Sequence, residues 1–314
     1  MEKLLHKIPL TGWVWSETRS LTFNSVFCPF AGNATLATMF KEDGKEVILT
    51  DLRLSKYRIG KALVENSLTI LDPFDVDELT AANPQKQKII TALADTYGIR
   101  PGEAEWLDNY HANIEKLTDD YKKDLAHCIA MKIIHYIFSL KGEAAGVQPE
   151  EDLTPTFCYY LDSTNDKIFS NNKQCIANND DANELVSSVH TDAMYFYAPH
   201  PSGCMEMGKE TRLVELFNHY CSEGELGKQL KCPSKGLGAV LKDKKSYCAA
   251  LEEFLERATH IPLWIICSNA ATRLISDSEM TRILEKFKKN VKSLTKELFL
   301  GKDKWTEYLF IATD

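Results

Sequence analysis

The sequence predicts an α/β protein with a doubly wound, mostly parallel sheet and a helical insertion. Short apolar runs bounded by glycine or polar turns alternate with helical patterns towards both ends of the 314-residue chain. The run over residues 263–268 is almost entirely apolar, which is typical of a parallel strand covered on both faces. The middle of the chain, from about residue 75 to 142, has helical periodicity instead. Together these observations favour one sheet whose two halves are separated by helices.

The first half of the sheet is predicted from a strand–helix–strand–helix pattern that ends near residue 71. An apolar strand that begins at Val26 runs into a tight turn at Gly32, and a second strand that begins at Val47 ends on Asp51. The second helix covers residues 54–67. A glycine turn followed about twenty residues later by an acid at a strand end is how an open α/β sheet binds a nucleoside, because the acid accepts hydrogen bonds from the ribose hydroxyls. The pattern therefore predicts a nucleoside or nucleotide cofactor.

The helical insertion is predicted over residues 75–150. Helical periodicity covers residues 86–97 and 106–140. The first half of the α/β domain then occupies residues 1–74 and the second half residues 151–314. The longer helical stretch has a predicted buried face made of Ala126, Ile129, Ile133, Ile134 and Ile137.

The second half of the domain is predicted to supply the remaining strands. Residues 156–161 and 167–170 flank the polar run Asp162–Asn165, which is a hairpin pattern. Further strands are predicted over 175–178, 193–197, 263–268 and 307–312, and helices over 213–220, 245–260 and 280–298. The sheet then has six strands separated by helices, and its ligand crevice lies beyond the carboxyl ends of the strands. The centre of the sheet is assigned to the strands at Val26, Val47, Cys175, Ala193 and Leu263.

Composition and charge restrict the class of protein. Hydrophobic residues make up 44% of the chain and charged residues 26%, as in ordinary globular proteins. No apolar run approaches the ~20 residues needed to cross a bilayer, and the first residues lack a secretory apolar core. The nine cysteines form no CxxC pair, so we expect reduced cytoplasmic thiols, no disulfide framework and no metal site. The net charge of −8 removes the simplest argument for nucleic-acid binding, although a local basic groove could override it.

Several segments resemble, in order, the motifs of S-adenosylmethionine-dependent DNA N6-adenine methyltransferases of the Dam type. The segment VFCPFAGNATLATMFKEDGKEVILTD resembles the family's Pro-Phe-x-Gly-x-Gly turn and the acid after the second strand. CIANNDDANEL resembles the third motif, in which an Asp contacts the adenine amine of the cofactor, and TDAMYFYAPHPSG stands where the family has Asp-Pro-Pro-Tyr. LVELFNHYCSEGELG, WIICSNAAT and EYLFIATD resemble the later segments. The resemblance implies a class I methyltransferase-like fold and S-adenosylmethionine as cofactor, bound by Phe30, Ala31, Gly32, Asn33, Asp51 and Asp181.

The catalytic motif departs from the family pattern. Tyr197 replaces the Asp or Asn that accepts a hydrogen bond from the target amino group, Ala198 replaces the first proline, Pro199 is retained, and His200 replaces the tyrosine that stacks on the flipped base. A phenol with a pKa near ~10 is a poor acceptor for an amine proton at neutral pH. Ala34 replaces the second glycine of the turn, and we expect its methyl group to block a positive φ and to crowd a ligand.

Structural roles are an alternative for each of these residues. Gly32 is then only a turn residue, Asp51 a strand-end cap, Asp181 an N-cap for the helix that begins near Asn183, and His200 a surface residue.

Three functions stay open. The first is an active S-adenosylmethionine-dependent adenine methyltransferase with an altered catalytic loop. The second is a retired methyltransferase, whose fold and perhaps cofactor site survive while the protein works as a binding or scaffold subunit. The third is a different nucleotide-directed enzyme on the same sheet. The changed tetrapeptide and the acidic net charge favour the second function. The insertion has few clustered cations outside Lys116, Lys122 and Lys123, which favours a protein partner or a homo-oligomer over DNA.

Overall fold

The structure is a computed structural model that describes residues 7–143, 152–203, 207–270, 274–300 and 303–314. The chain divides into two compact units. The sheet unit consists of Met1–Leu52, Asn171–Glu206 and Cys232–Asp314, and the helical unit consists of Arg53–Ser170 and Met207–Lys231.

The sheet unit is built on seven strands within the described residues. They are β1 (Ser25–Pro29), β2 (Glu46–Thr50), β3 (Ile176–Asn178), β4 (Ala193–Tyr197), β5 (Leu263–Asn269), β6 (Asn290–Leu300) and β7 (Asp303–Thr313). Their order across the sheet is β3-β2-β1-β4-β5-β7-β6. Strands β1 to β5 pair with one another in parallel, whereas β7 is antiparallel to both β5 and β6.

This strand order confirms the predicted fold class. The chain builds outwards from β1 through β2 to β3 and then returns to the other side of β1 to build β4 and β5. The direction of winding therefore reverses between β1 and β4, and in open α/β sheets the ligand crevice lies at such a reversal. The single reversed strand, inserted between β5 and β6, completes the class I methyltransferase-like arrangement.

Helices connect the strands and form the second unit. In chain order, the described helices are α1 (Lys7–Thr18), α2 (Thr35–Glu42), α3 (Leu54–Gly60), α4 (Pro73–Thr80), α5 (Ile89–Tyr97), α6 (Pro101–Ile114), α7 (Asp120–Glu143), α8 (Thr154–Asn165), α9 (Ala182–Leu185), α10 (Lys209–His219), α11 (Glu223–Gln229), α12 (Lys244–Arg257) and α13 (Asp277–Leu284). A π-helical turn, Lys61–Glu65, extends α3.

Both faces of the sheet carry helices. On β4, the Tyr195 ring meets Phe40 of α2 with the ring centroids 5.6 Å apart, and the next residue, Phe196, meets Phe254 of α12 at the same separation. Successive residues of a strand point to opposite faces, so α2 and α12 cover opposite sides. The core on the α12 side includes Phe27, Met194, Trp264, Ile266, Leu251, Phe310, Met280 and Leu284.

The helical unit has its own apolar core. The predicted face of α7 lies inside it, since Ala126, Ile129, Ile133, Ile134 and Ile137 are all buried. The periodicity over residues 106–140 is shared by α6 and α7, which are separated by a short turn. The predicted insertion, 75–150, lies within a unit that begins at Arg53 and takes in 207–231 as well. Residues 144–151 at its predicted end lie outside the described residues.

The predicted hairpin over residues 156–170 is wrong. Helix α8 begins at Thr154 with a proline in its first turn, where the missing N–H costs nothing. Phe157 and Leu161 are four residues apart on one face of this helix, and both are buried in the helical core. The apolar spacing of α8 therefore follows a helix, not an alternating strand.

The predicted helix over residues 280–298 is also wrong beyond Leu284. Residues Asn290–Leu300 form β6, which pairs with β7 along its whole length. The sheet consequently has seven described strands and not six. In addition, β3 lies at the edge of the sheet, because β2 is its neighbour on one side only, and not at the centre as predicted.

Two further expectations concern thiols and membranes. The described free cysteines are Cys28, Cys128, Cys158, Cys175, Cys221, Cys248 and Cys267. Cys232 is disulfide-bonded, so the expectation that every thiol is reduced is wrong at this position. Among the described residues, no helix combines the length and apolar character that crossing a bilayer requires.

The packing of α12 on the sheet gives a stability prediction. Phe254 is 1% exposed and touches the rings of Phe30 and Phe196, so Phe254→Ala should lower the free energy of unfolding by about 3–5 kcal/mol. Phe299 on β6 is 63% exposed, and Phe299→Ala should change that free energy by less than about 0.5 kcal/mol. Urea denaturation of both variants measures the difference. Equal, small losses would show that α12 does not cover this face.

Candidate functional site

The predicted site residues follow the carboxyl ends of neighbouring parallel strands. Pro29 on β1 is paired with Thr50 on β2, and Thr50 is paired with Asn178 on β3. Asp51 comes directly after β2, and Asp181 follows β3 by a short loop. Both acids therefore lie at the same edge of the sheet, as a nucleoside site requires.

The turn after β1 is tied to the end of β2 by hydrogen bonds. The Gly32 N–H donates to Asp51 Oδ2 at 3.0 Å, and the Ala31 N–H donates to the Thr50 carbonyl at 3.1 Å. The Ala34 N–H closes the turn by donating to the Ala31 carbonyl at 3.0 Å. The structure thus brings together the glycine turn and the acid that the sequence analysis singled out.

Every second residue of the turn has a left-handed backbone conformation. Phe30, Gly32 and Ala34 have φ values of +55°, +56° and +53°. The expectation that Ala34 cannot adopt a positive φ is therefore wrong. Ala34 pays for its left-handed conformation with about 1 kcal/mol, and its buried methyl group and the surrounding hydrogen bonds offset that cost.

The backbone around Gly32 and Asp51 is open on one side and held by hydrogen bonds on the other. A Cβ added at Gly32 would meet no atom closer than the Phe30 carbonyl oxygen, at 4.0 Å, so there is space beside the turn. One carboxylate oxygen of Asp51, Oδ2, holds the turn by accepting the Gly32 N–H. Asn179 Nδ2 donates to the carbonyls of Asp51 and Leu52 at 2.8 and 3.0 Å, which fixes the backbone that carries the acid.

Asp181 has a structural role of its own. Its carboxylate caps α9 by accepting hydrogen bonds from the Asn183 N–H at 2.9 Å and from Asn183 Nδ2 at 2.7 Å. It also lines a small surface cavity with a volume of about 50 Å³, whose other lining residues include Asn183, Lys235, Glu253 and Arg257. The N-cap alternative thus describes its contacts, and a role for Asp181 towards a cofactor stays a prediction.

A glycine-containing segment that the sequence analysis did not single out packs over Phe30. A Cβ on Gly238, which has a φ of +90°, would lie 3.2 Å from Phe30 Cε1. Asn183 fixes this segment, since its side-chain amide donates to the Leu237 carbonyl and accepts from the Leu237 N–H, both at 3.0 Å. A Cβ on Gly236 would lie 2.6 Å from Asn183 Oδ1. The Gly-Leu-Gly sequence could have indicated a tightly packed turn here, but the residues that it contacts, Phe30 and Asn183, lie far away along the chain.

Tyr197, at the end of β4, is engaged with a buried carboxylate. Its phenol donates to Glu307 on β7, with O···O distances of 3.0 and 3.2 Å to the two carboxylate oxygens. Asn269 Nδ2 donates to the same carboxylate at 2.7 Å, and Glu307 is 0% exposed. Burial, followed by the neighbouring Glu307 charge, raises the pKa of Tyr197 far above its usual value. The phenol is therefore a neutral hydrogen-bond donor at physiological pH.

The other three residues of the altered tetrapeptide follow β4. Ala198 makes a backbone hydrogen bond, and Pro199 and His200 lie in a surface loop. Ala198 is buried, and its N–H donates to the Cys267 carbonyl at 2.8 Å. Pro199 is half-buried and His200 is exposed. The Ser202 N–H donates to His200 Nδ1 at 3.2 Å, and Ser202 Oγ lies 2.5 Å from the same nitrogen. The surface alternative for His200 agrees with its exposure.

Comparison with curated proteins shows a likeness to one methyltransferase. No family model matches the chain. The chain is similar to the Type II methyltransferase M2.HphI of Haemophilus parahaemolyticus, with 25% identity over 334 aligned positions that cover 98% of this chain and 95% of the relative. Among solved structures, magnesium protoporphyrin IX methyltransferase from Synechocystis PCC 6803 with bound SAM aligns over 97% of this chain and 77% of its own, with a TM-score of 0.33 and 8% identity. The nearly full-length likeness to M2.HphI supports a methyltransferase-like protein.

The left-handed alanine gives a prediction with a matched control. Ala34→Gly loses a buried methyl group but relieves a strained φ, so we expect the free energy of unfolding to stay the same or to rise by up to about 1 kcal/mol. Ala37→Gly, three residues later inside α2, loses a similarly buried methyl group and adds helix cost, so it should lower that free energy by about 1–2 kcal/mol. Chemical denaturation compares the two. Equal losses would contradict the conformation of Ala34.

Proposed function

We propose that this chain is a DNA adenine methyltransferase-like protein that keeps a cofactor site but transfers no methyl group on its own, and that it acts as a binding or scaffold subunit for a catalytic partner. The likeness to M2.HphI and the sheet order support the methyltransferase part of the proposal. The observation that carries the rest is the hydrogen bond from the Tyr197 phenol to Glu307.

The cofactor site in this proposal is the turn after β1 together with Asp51. S-adenosylmethionine, when bound, supplies a methyl group on a sulfonium sulfur. The backbone of Phe30, Ala31, Gly32 and Asn33 would approach the ligand, and the Asp51 carboxylate would accept hydrogen bonds from the ribose. The hydrogen bond between Gly32 and Asp51 orients that carboxylate before any ligand arrives.

The loss of catalysis in this proposal follows from the position of one proton. An adenine amino group that attacks a sulfonium methyl becomes acidic, and it needs an acceptor held beside it. Tyr197 stands where the family has an Asp or Asn, but its hydrogen is committed to Glu307 and its raised pKa keeps it protonated. Removing one such preorganised partner costs about 10²–10³ in rate.

The buried carboxylate also supports a second candidate, an active methyltransferase. The Tyr197 oxygen would accept a hydrogen bond from the target amino group while its own hydrogen moves to Glu307. The bound cofactor would supply the methyl group to the amine nitrogen, the amine proton would pass to the Tyr197 oxygen, and Glu307 would end protonated. Direct contact between the phenol and a buried carboxylate is what favours this route.

Binding and transfer assays on the intact chain separate the two candidates. We expect calorimetric titration to detect S-adenosylmethionine binding and a tritiated-methyl assay on duplex DNA to detect no transfer. Transfer that is lost in both Tyr197→Phe and Glu307→Gln would establish the active enzyme instead. A chain that does not bind S-adenosylmethionine would overturn the retained cofactor site.

The role of Asp51 in cofactor binding gives a second measurement. Asp51→Asn removes a charged acceptor and should weaken S-adenosylmethionine binding about 10- to 100-fold. Asp43→Asn changes an equally charged residue in the loop after α2 and should leave the affinity unchanged. Because Asp51 also holds Gly32, thermal denaturation must show that the Asp51→Asn chain is folded. A folded variant that binds as tightly as the parent would remove Asp51 from the site.

Restoring catalysis is the complementary experiment. Tyr197→Asp alone would place a second carboxylate beside the buried Glu307, so it must be combined with Glu307→Gln. Ala198→Pro is left out because it would remove the N–H that binds the Cys267 carbonyl. With His200→Tyr added for base stacking, the proposal expects measurable methyl transfer that the parent lacks. Continued inactivity of a folded variant that binds the cofactor would show that more than the acceptor has been lost.

A further inference from the structure

Two histidines and a glutamate meet in the core of the helical unit. His111 lies in the last turn of α6, Glu115 directly follows that helix, and His127 lies in the first half of α7. Residues 111 and 115 are four positions apart and so share one face of the chain. One donor atom from each of the three side chains lies within 4.8 Å of the other two.

One of these donor groups has no partner in the described part of the chain. His127 is 1% exposed, and its Nδ1 is buried without a hydrogen-bond partner among the described residues. Leaving a buried polar atom unsatisfied costs about 1–3 kcal/mol, so such atoms are rare unless a water or an ion serves them. This orphaned nitrogen belongs to a ring that lies in one cluster with His111 and Glu115, and it is the observation that points to a ligand.

Aromatic packing fixes the two rings. His111 stacks on Tyr220 with ring centroids 3.7 Å apart, and it meets His127 edge-on at 5.6 Å. Phe217 lies against both, at 5.3 Å from His111 and 5.7 Å from His127. The Tyr220 phenol donates to Asp108 at 2.9 Å, which holds the stacking partner in place. The two imidazoles are therefore preorganised, which favours binding.

The charges around the cluster affect the binding of any cation, and the types of ligand determine which metal ion is preferred. Arg58 and Lys123 oppose a cation, whereas Glu115 attracts it. Arg58 is itself bound to neighbours, with Nη1 donating to Asn218 at 3.0 Å and Nε paired with Asp124 at 3.5 Å. Two imidazoles and a single carboxylate suit Zn²⁺ and similar transition metals, because Mg²⁺ and Ca²⁺ need mainly oxygen ligands.

We propose that His111, Glu115 and His127 form a zinc-type transition-metal site that ties the end of α6 to α7. The ion coordinates one nitrogen from each histidine and a carboxylate oxygen of Glu115, and water takes the remaining position. Zinc–nitrogen bonds of about 2.0–2.1 Å place the donor atoms of a tetrahedral site about 3.4 Å apart, so donors that lie up to 4.8 Å apart close by about 1 Å when the ion binds. The ion satisfies the buried nitrogen of His127 and stabilises the helical unit. The site does not depend on the function proposed above.

Titration of the full-length chain with metal alone tests the proposal. Co²⁺ should give the visible absorption bands of a tetrahedral site with nitrogen and oxygen ligands, without the charge-transfer band of a thiolate ligand, and Zn²⁺ should displace it. The absence of the thiolate band separates this site from the cysteines of the chain. Saturating Zn²⁺ should also raise the melting temperature, because a ligand that binds the folded state stabilises it.

Variants identify the ligands. Glu115→Gln, at an exposed position, should weaken Zn²⁺ binding by more than about tenfold without unfolding the chain. His127→Phe keeps a ring in the core and should abolish the cobalt bands. The control is His260→Gln in the sheet unit, where His260 and His190 form another ring pair at 5.3 Å, and it should change nothing. No Zn²⁺ binding by the parent chain, or bands that survive both Glu115→Gln and His127→Phe, would overturn the proposal.

Discussion

The hydrogen bond between the Gly32 N–H and the Asp51 carboxylate is the contact on which the candidate site depends. It joins the turn after β1 to the residue after β2, which is the neighbouring strand. This contact lies beside the point at which the order of the strands reverses, between β1 and β4. The parallel pairing of β1 with β2 brings the two segments to one edge, and the hydrogen bond then sets the direction of the carboxylate. Both the cofactor proposal and the strained backbone of the turn follow from this arrangement.

The buried carboxylate of Glu307 restricts which residue can stand beside it at position 197. Glu307 has no contact with water, so its carboxylate needs hydrogen-bond donors, and Tyr197 and Asn269 provide them. A carboxylate at position 197 would instead face Glu307 as a like charge in a buried setting, which is strongly unfavourable. The identity of residue 197 is thus coupled to that of residue 307. The chain cannot regain the family's acceptor by one substitution, which is a physical reason for the change of role that we propose.

The local sequence predicted those elements whose hydrophobic pattern matches their final environment. It failed where pairing with a segment distant along the chain determines the secondary structure or the contact. Strand β4 was predicted with its observed bounds, because an apolar run between polar loops has few alternatives. The predicted helix over 280–298 has apolar residues at helical spacing, including Phe287, Val291 and Leu294, yet pairing with β7 turns its second part into a strand. The bond between Tyr197 and Glu307 spans 110 residues, and no local pattern reports it. Propensity is a weak guide once tertiary pairing is available.

The left-handed conformation of Ala34 depends on the contacts around it. A non-glycine residue in the left-handed region persists only where the surrounding contacts over-determine it. Here the Ala34 N–H closes the turn, its methyl group is buried, and the Gly32–Asp51 bond holds the segment from the other side. At a cost of about 1 kcal/mol, Ala34 therefore keeps the left-handed conformation that a glycine would adopt more readily at this position. A turn of this shape beside Asp51 is compatible with the cofactor site that we propose, and the hydrogen bond from Tyr197 to Glu307 is compatible with the proposed loss of methyl transfer.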